Sequence, residues 1–477
     1  MKSDPDSLVF SKSLALIQKT RKRVKQVDPD EFPTDSSGLP RDLLLQTLET
    51  LGTRSLWPAM SPEALYSSLI HIQDLVEQLE ASNSAHISWP LVSYCDHIWK
   101  QFFSNKEAQI FYSVMTEHNY GIGSFSLRLK RLIEKILPPS HVKSILKAEN
   151  LYCLQMASLE DENLPLYANI GHEFGHAVFL LNSTALLAIV AAECDNVFRA
   201  ITSDIFKLDP VLGPRRRTKA GCIIRGLATE LFCDVIGFLI SGPAFILSLH
   251  EMAWGVDQAS WTAQLTPASA GIRAYPSFRF RLDCLRKLNR VKDFQTEATK
   301  LFKGLAKPGL AGMAGYISSI STDHTSDKIQ VTAISDLDND SREVETIFGR
   351  HFEALKIALQ KYVERCWNDF VSQHVKDSQF PAVSAADVFE LLRRLENDIL
   401  PNIIPKNNSL LGEPASFGAI LNASAFYRIH ALATTDLSAG PDGVYRDVQK
   451  VERLTAKALE VSYIQGEFKK WEAANRP

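Results

Sequence analysis

Two histidines four positions apart with a glutamate between them, His172-Glu173-Phe174-Gly175-His176, are the residues of this chain best suited to chemistry. On one face of a helix this spacing sets two imidazoles one turn apart, where both can bind the same Zn²⁺, and leaves Glu173 free to act as a general base. The chemistry implied is that of a metallohydrolase. Every other residue from Ala168 to Leu181 is uncharged, so the helix would be apolar and buried. Polar groups buried without a partner lose their hydration at a high cost, and a metal would supply that partner. The alternative is a hydrogen-bonded His/Glu cluster on a solvated face.

A catalytic zinc site takes a third protein ligand and keeps a fourth position open. Glu230 is the best candidate, in the run Ala228-Thr229-Glu230-Leu231-Phe232-Cys233-Asp234-Val235-Ile236-Gly237. Glu230 and Asp234 are the only acids between Asp209 and Glu251, and on a helix residues four apart point the same way. Glu230 would bind the metal. Asp234 would accept a hydrogen bond from the far ring nitrogen of one ligand histidine and so fix its tautomer. A carboxylate pair on a helix surface is the alternative, and the apolar neighbours leave little room for it. His250, Tyr275, Arg279 and Arg281 are candidates for stabilising an oxyanion or contacting substrate; either arginine could instead pair with a carboxylate or cap a helix.

These motifs resemble the gluzincin metallopeptidases, whose ligands are His, His and Glu. The segment Tyr275-Pro276-Ser277-Phe278-Arg279-Phe280-Arg281-Leu282 is similar to the His-Pro-Pro…Arg stretch of the CAAX-prenyl-protease and HtpX-like branch. The resemblance covers Leu151 to Leu288. It departs at Tyr275, where that branch has His, and in lacking the branch's membrane helices, so membrane-embedded substrates are not implied. A strand such as Leu151 to Ser158 would, by the same resemblance, sit near the site and capture an extended peptide along its edge.

At 477 residues the chain can hold several domains and a substantial core. A net charge of −3 gives no reason to expect nucleic acid as partner. Seven scattered cysteines with no Cys-x-x-Cys pair suit reduced thiols in a cytoplasmic protein. Met1-Lys2-Ser3-Asp4-Pro5-Asp6 is followed by no signal-like apolar block. The longest apolar stretch, Val235 to Leu249, is broken by Gly, Ser and Pro, so no membrane span is expected.

The elements that must position these residues read as mainly α: a zincin-like catalytic core with a small β element, flanked by N- and C-terminal helical regions. The expected division is 1–57 (a helix over Leu8 to Val27 and a link from Asp28 to Pro40), 58–150 (helical), 151–290 (the metallopeptidase core) and 291–477 (helical). Pro62 to Ala81 and Trp89 to Leu137 carry helical spacing, and Pro138-Pro139 breaks it. Asn163 or Leu164 would cap the motif helix, with Pro165 in its first turn. A helix is expected over Ala185 to Phe206, then a loop with four cations, Gly213 to Lys219, that is either an exposed connector or a recogniser of acidic substrate. The run Lys19 to Lys25 is either a solvated helix face or a binding arm. C-terminal helices are expected at Asp293 to Phe302, Arg342 to Val375, Ala385 to Ile399 and Arg446 to Ala473, with separators from Gly304 to Ser341 and from Pro401 to Pro414.

The function expected is zinc-dependent hydrolysis of a peptide bond in a peptide or protein substrate, by an endopeptidase, since no Gly-x-Met-Glu-Asn exopeptidase signature is present. The alternatives are a zinc-containing sensor or protein-binding module, and a hydrolase of non-protein amides.

Overall fold

The computed structural model describes residues 5–31, 38–82, 87, 89–103, 108–115, 121–146, 150–157, 164–253, 260–265, 272–320, 328–333, 338–374, 380, 382–406, 409–434 and 440–475. It is mainly helical, with small sheets. Its contacts divide it into two units, Met1–Asp161 and Glu162–Pro477.

The first unit holds α1 (Pro5–Gln26), α2 (Gly38–Leu51), α3 (Pro62–Glu80), α4 (Trp89–Phe102), α5 (Phe125–Ile133) and α6 (Pro139–Ile145), with β1 (Gln109–Met115), β2 (Gly121–Ser124) and β3 (Leu151–Ala157). Leu44 and Leu48 of α2, Leu69, Ile72 and Val76 of α3, and Phe111 of β1 share one apolar core. Two arginines of the basic run tie α1 to its neighbours, Arg21 to Glu49 and Arg23 to Glu80 at 2.6 Å, as a packed helix face does.

Two expectations are corrected in this unit. The stretch from Trp89 to Leu137 is not helical throughout, because β1 and β2 interrupt it. Ile110, Phe111 and Tyr112 are all buried, and a strand covered on both faces lacks the alternation that distinguishes it from a helix. The strand at Leu151 forms as expected, but β3 lies between β1, its parallel partner, and β2, its antiparallel one. Both its edges are spent, so it cannot capture a peptide by strand addition.

The second unit opens with α7 (Leu164–Leu181), α8 (Ser183–Leu208), α9 (Gly213–Ser241) and α10 (Pro243–Met252). After β4 (Ser260–Leu265) and β5 (Ile272–Tyr275) come α11 (Phe278–Arg286), α12 (Asn289–Leu301), α13 (Pro308–Gly312) and α14 (Tyr316–Ser319). Then follow β6 (Lys328–Ala333), α15 (Asp338–Arg350), α16 (Phe352–Arg365), α17 (Ser372–His374), α18 (Ala385–Glu396), β7 (Ile403–Lys406), β8 (Ser409–Pro414), α19 (Phe417–Thr434) and α20 (Gly440–Asn475). β4 pairs antiparallel with β5 and parallel with β6, which leaves β5 at one edge of that sheet among the described residues.

Here too the structure departs from expectation. The cationic loop is instead the first two turns of α9, with Pro214 at a helix start where its missing N–H costs nothing. The separator from Gly304 contains α13, α14 and β6, and the one from Pro401 is the β7–β8 hairpin. α19 was not foreseen, since an all-round apolar helix carries no amphipathic stripe; its residues from Ala419 to Phe426 are buried. The expected cap Asn163 lies outside the described residues. Among those residues no single helix is long and apolar enough to cross a membrane, and α7 and α8 bend by 94° at their junction.

α7 and α9 touch backbone to backbone. A Cβ added to Gly171 would stand 3.0 Å from Cα of Gly237, and one added to Gly175 would stand 2.5 Å from Cα of Cys233. Gly175→Ala therefore must push the two helices apart, and a loss of about 1–3 kcal/mol is expected in denaturant unfolding, as for other overpacked cores. Gly466→Ala on α20, where an added Cβ meets nothing within 4 Å, should instead gain about 0.5–1 kcal/mol from helix propensity.

Candidate metal centre

Why His172 and His176 can meet Glu230 follows from that crossing. With no side chain at Gly171 or Gly175, α7 lies directly on α9, and the carboxylate of Glu230 reaches both rings. Its Oε2 is 3.2 Å from His172 Nε2, and its Oε1 is 3.8 Å from His176 Nε2. The two imidazoles stand nearly perpendicular, with centroids 5.1 Å apart. Glu173 is half-buried on the same helix, between the two histidines in sequence.

Behind this group lies a fully buried ionic chain. Asp234 Oδ1 accepts a hydrogen bond from His172 Nδ1 at 2.9 Å, which places the Asp234 carboxylate where the sequence put it. Arg281 on α11 grips both oxygens of Asp234, donating from Nε to Oδ2 at 2.8 Å and from Nη2 to Oδ1 at 2.6 Å. A bidentate arginine–carboxylate pair is both strong and orienting. α11 is started by Ser277, whose hydroxyl accepts from the Phe280 N–H, and this cap aims Arg281 inward. Arg281 is thus a positioning residue, with its guanidinium committed to Asp234.

The electrostatics follow from burial opposed by pairing. Burial alone would push the His172 imidazole down, but its hydrogen bonds and charges with Asp234 and Glu230 outweigh that and raise it to about 9. Burial and then the neighbouring His172 push His176 down. Burial would push both carboxylates up; His172 holds Glu230 below its usual range, and Arg281 does the same for Asp234. With Nδ1 engaged by Asp234, a second proton on His172 would lie on Nε2, between the ring and Glu230, where a metal cation could take its place.

Cys233 was read from the sequence as one more scattered thiol. It lies three residues after Glu230 on the same flank of α9, and its Sγ belongs to a group with His172 and His176 whose donor atoms all fall within 4.8 Å. That group could hold a metal ion. Two donor sets thus share the two histidines, one completed by Glu230 and one by Cys233. The oxygens of Glu230 face both Nε2 atoms, and burial pushes the Cys233 thiol well above its usual range. The signal for Cys233 was available in the i, i+3 spacing to Glu230.

The remaining candidates sit on α10, β5 and α11. His250 on α10 packs edge-on against Tyr316, 6.3 Å between centroids, and burial pushes its imidazole down. Tyr275 ends β5 opposite Thr262 and is 42 % exposed. Arg279 is half-buried in the first turn of α11. β5 itself is close: Ala274 rests on Gly226 of α9, where an added Cβ would stand 3.0 Å from the alanine methyl, one turn before Glu230.

Arg281→Met would leave Asp234 buried without its cation. An unfolding loss of about 3–5 kcal/mol is expected, the cost of stripping one partner from a buried pair. Arg281→Met combined with Asp234→Leu should recover much of that loss, which a double-mutant cycle in urea would read. Compared with models of protein families, with curated protein sequences and with solved structures, the chain matches none.

Proposed function

We propose that this chain is a zinc-dependent hydrolase of zincin-like design that cleaves peptide bonds internally. The observation that carries the reading is the facing of one carboxylate, Glu230, by two Nε2 atoms at 3.2 and 3.8 Å. Donors at about 2.0–2.2 Å from a tetrahedral zinc stand about 3.3–3.6 Å apart, which is close to the two distances between Glu230 and the histidines and supports Glu230 as their common partner. Zinc held there would supply Lewis acidity, polarising a carbonyl and acidifying water.

The chain's own groups do the rest. Glu173 takes a proton from the attacking water and returns it to the leaving nitrogen. Asp234 keeps the His172 proton on Nδ1 and leaves the Nε2 lone pair for the metal, and Arg281 keeps Asp234 ionised. β5, an edge strand of its sheet among the described residues, packs on Gly226 one turn from Glu230 and supports an extended peptide over a small amide as substrate, because an edge strand can pair with a peptide.

A second reading rests on Cys233. Were the thiol to ligate as a thiolate beside Glu230, four protein donors would close the site, as in zinc centres that only hold structure, and the protein would be a zinc-containing sensor or binding module.

Elemental analysis of the purified chain should find about one zinc, falling sharply in His176→Ala and Glu230→Gln. Glu173→Gln should keep the zinc and lose about 10²–10⁴-fold in the rate at which new peptide termini appear in a digested peptide library. Full zinc in Glu230→Gln would remove the ligand assignment, and undiminished cleavage by Glu173→Gln would remove the mechanism. Cobalt substitution separates the second reading: a thiolate charge-transfer band that disappears in Cys233→Ala means a closed site, and its absence from the wild type means an open one.

A further inference from the structure

The cationic run that begins α9 takes no part in the metal centre, and its surroundings point elsewhere. α8 and α9 are joined by Asp209-Pro210-Val211-Leu212. Leu208, Val211 and Leu212 are all exposed there, Val211 at 86 %. Three aliphatic side chains at a single turn are more than a solvated connector needs.

The turn is built to hold them out. Oδ1 of Asp209 accepts from the N–H groups of Val211 and Leu212 at 2.9 and 3.1 Å, which locks the turn backbone. Gly213 lies against the Phe206 ring, 2.5 Å from where its Cβ would be, so the chain reverses tightly. Arg216 is buried, and it anchors the start of α9 to Glu343 on α15.

Around this apolar tip the charge is one-sided. Between Asp204 and Ala220 the chain carries five cations and two acids; Asp204 pairs with Lys207 and the buried Arg216 with Glu343, and Asp209 is occupied by the turn. Arg215 and Arg217 are exposed on the first turns of α9, and Lys207, on the last turn of α8, is exposed and paired with Asp204 at 3.4 Å. An apolar tip in a ring of lysine and arginine is complementary to an anionic bilayer: aliphatic groups enter the acyl boundary while cations meet the headgroups. An acidic protein surface would match the cations but not the protruding valine and leucines.

We propose that the α8–α9 turn is a peripheral docking site for a membrane surface carrying anionic lipid. Glu230 lies about 26 Å along α9 from Gly213, so docking would hold the metal centre at a fixed height above the bilayer without obstructing it. The site does not depend on what the metal centre does. A second exposed apolar set, Ile464, Phe468 and Trp471 on α20, is interspersed with Glu467, Lys469, Lys470 and Glu472, and it has no such one-sided charge.

The test is co-sedimentation of the full chain with vesicles of phosphatidylcholine alone and with phosphatidylserine as roughly a third of the lipid. The wild type should bind only the anionic vesicles, and binding should weaken with salt. Val211→Asp should lower the partition about tenfold or more, and Arg215→Glu with Arg217→Glu should abolish it, whereas Phe468→Ser with Trp471→Ser should leave it unchanged. Val211→Trp should shift its emission to the blue on adding anionic vesicles. A folded wild type that ignores both vesicles overturns the proposal. So does binding that survives both sets of turn variants, or a bound Val211→Trp whose emission does not move.

Discussion

The approach of α7 to α9 is the constraint on which the rest of the second unit depends. Helix axes usually stand about 8–10 Å apart, the spacing being set by the side chains between them. Gly171 and Gly175 remove those side chains on one partner, and the space is too small for a methyl group at either position. Only then can a glutamate on α9 present its carboxylate to two imidazoles on α7. The glycines alternate with the histidines, Gly171-His172 and Gly175-His176, so the contact face and the ligand face are adjacent stripes of one helix. Packing and chemistry are set by the same repeat of four.

Close packing creates an electrostatic problem that the polar residues solve together. His172, Glu230, Asp234 and Arg281 are all buried, and none would be tolerated alone in such surroundings. In sequence along the chain of contacts they alternate in charge: Arg281, Asp234, protonated His172, Glu230. Each is stabilised by the next. A network of this kind is satisfied as a whole or not at all, so Arg281 is coupled through Asp234 to the ring that faces Glu230.

Much of the centre was legible in the sequence because its spacing is dictated by the helix. His172, Glu173 and His176 share a motif, and Glu230 and Asp234 stand out as the only acids in a long apolar segment. Arg281 was also named, as a group for an oxyanion or as the partner of a carboxylate, and the structure shows the carboxylate pairing, with Asp234. Cys233 was missed because thiols are common in apolar helices, and its proximity to the histidines arises from the glycine contact across two helices. The errors in the fold have one origin. β1 and α19 are covered on every side, and total burial erases the periodicity from which strands and helices are told apart. The peptide-binding edge was assigned to β3 because its sequence reads as a strand, whereas edges are a property of pairing, and β3 is the middle strand.

Glu230 and Cys233 both lie beside the histidines, and the same surroundings act oppositely on their acidities. Both are buried, and burial disfavours the charged form of each. For Glu230 the opposing force is the cationic ring of His172, which keeps it ionised. For Cys233 the neighbouring charges of Glu230, Glu173 and Asp234 act in the same direction as burial, so the thiol must give up a proton into a field that opposes it. Zinc favours thiolate intrinsically, yet here it would first have to overcome three carboxylates. The carboxylates that organise the histidines thus also oppose ionisation of the thiol.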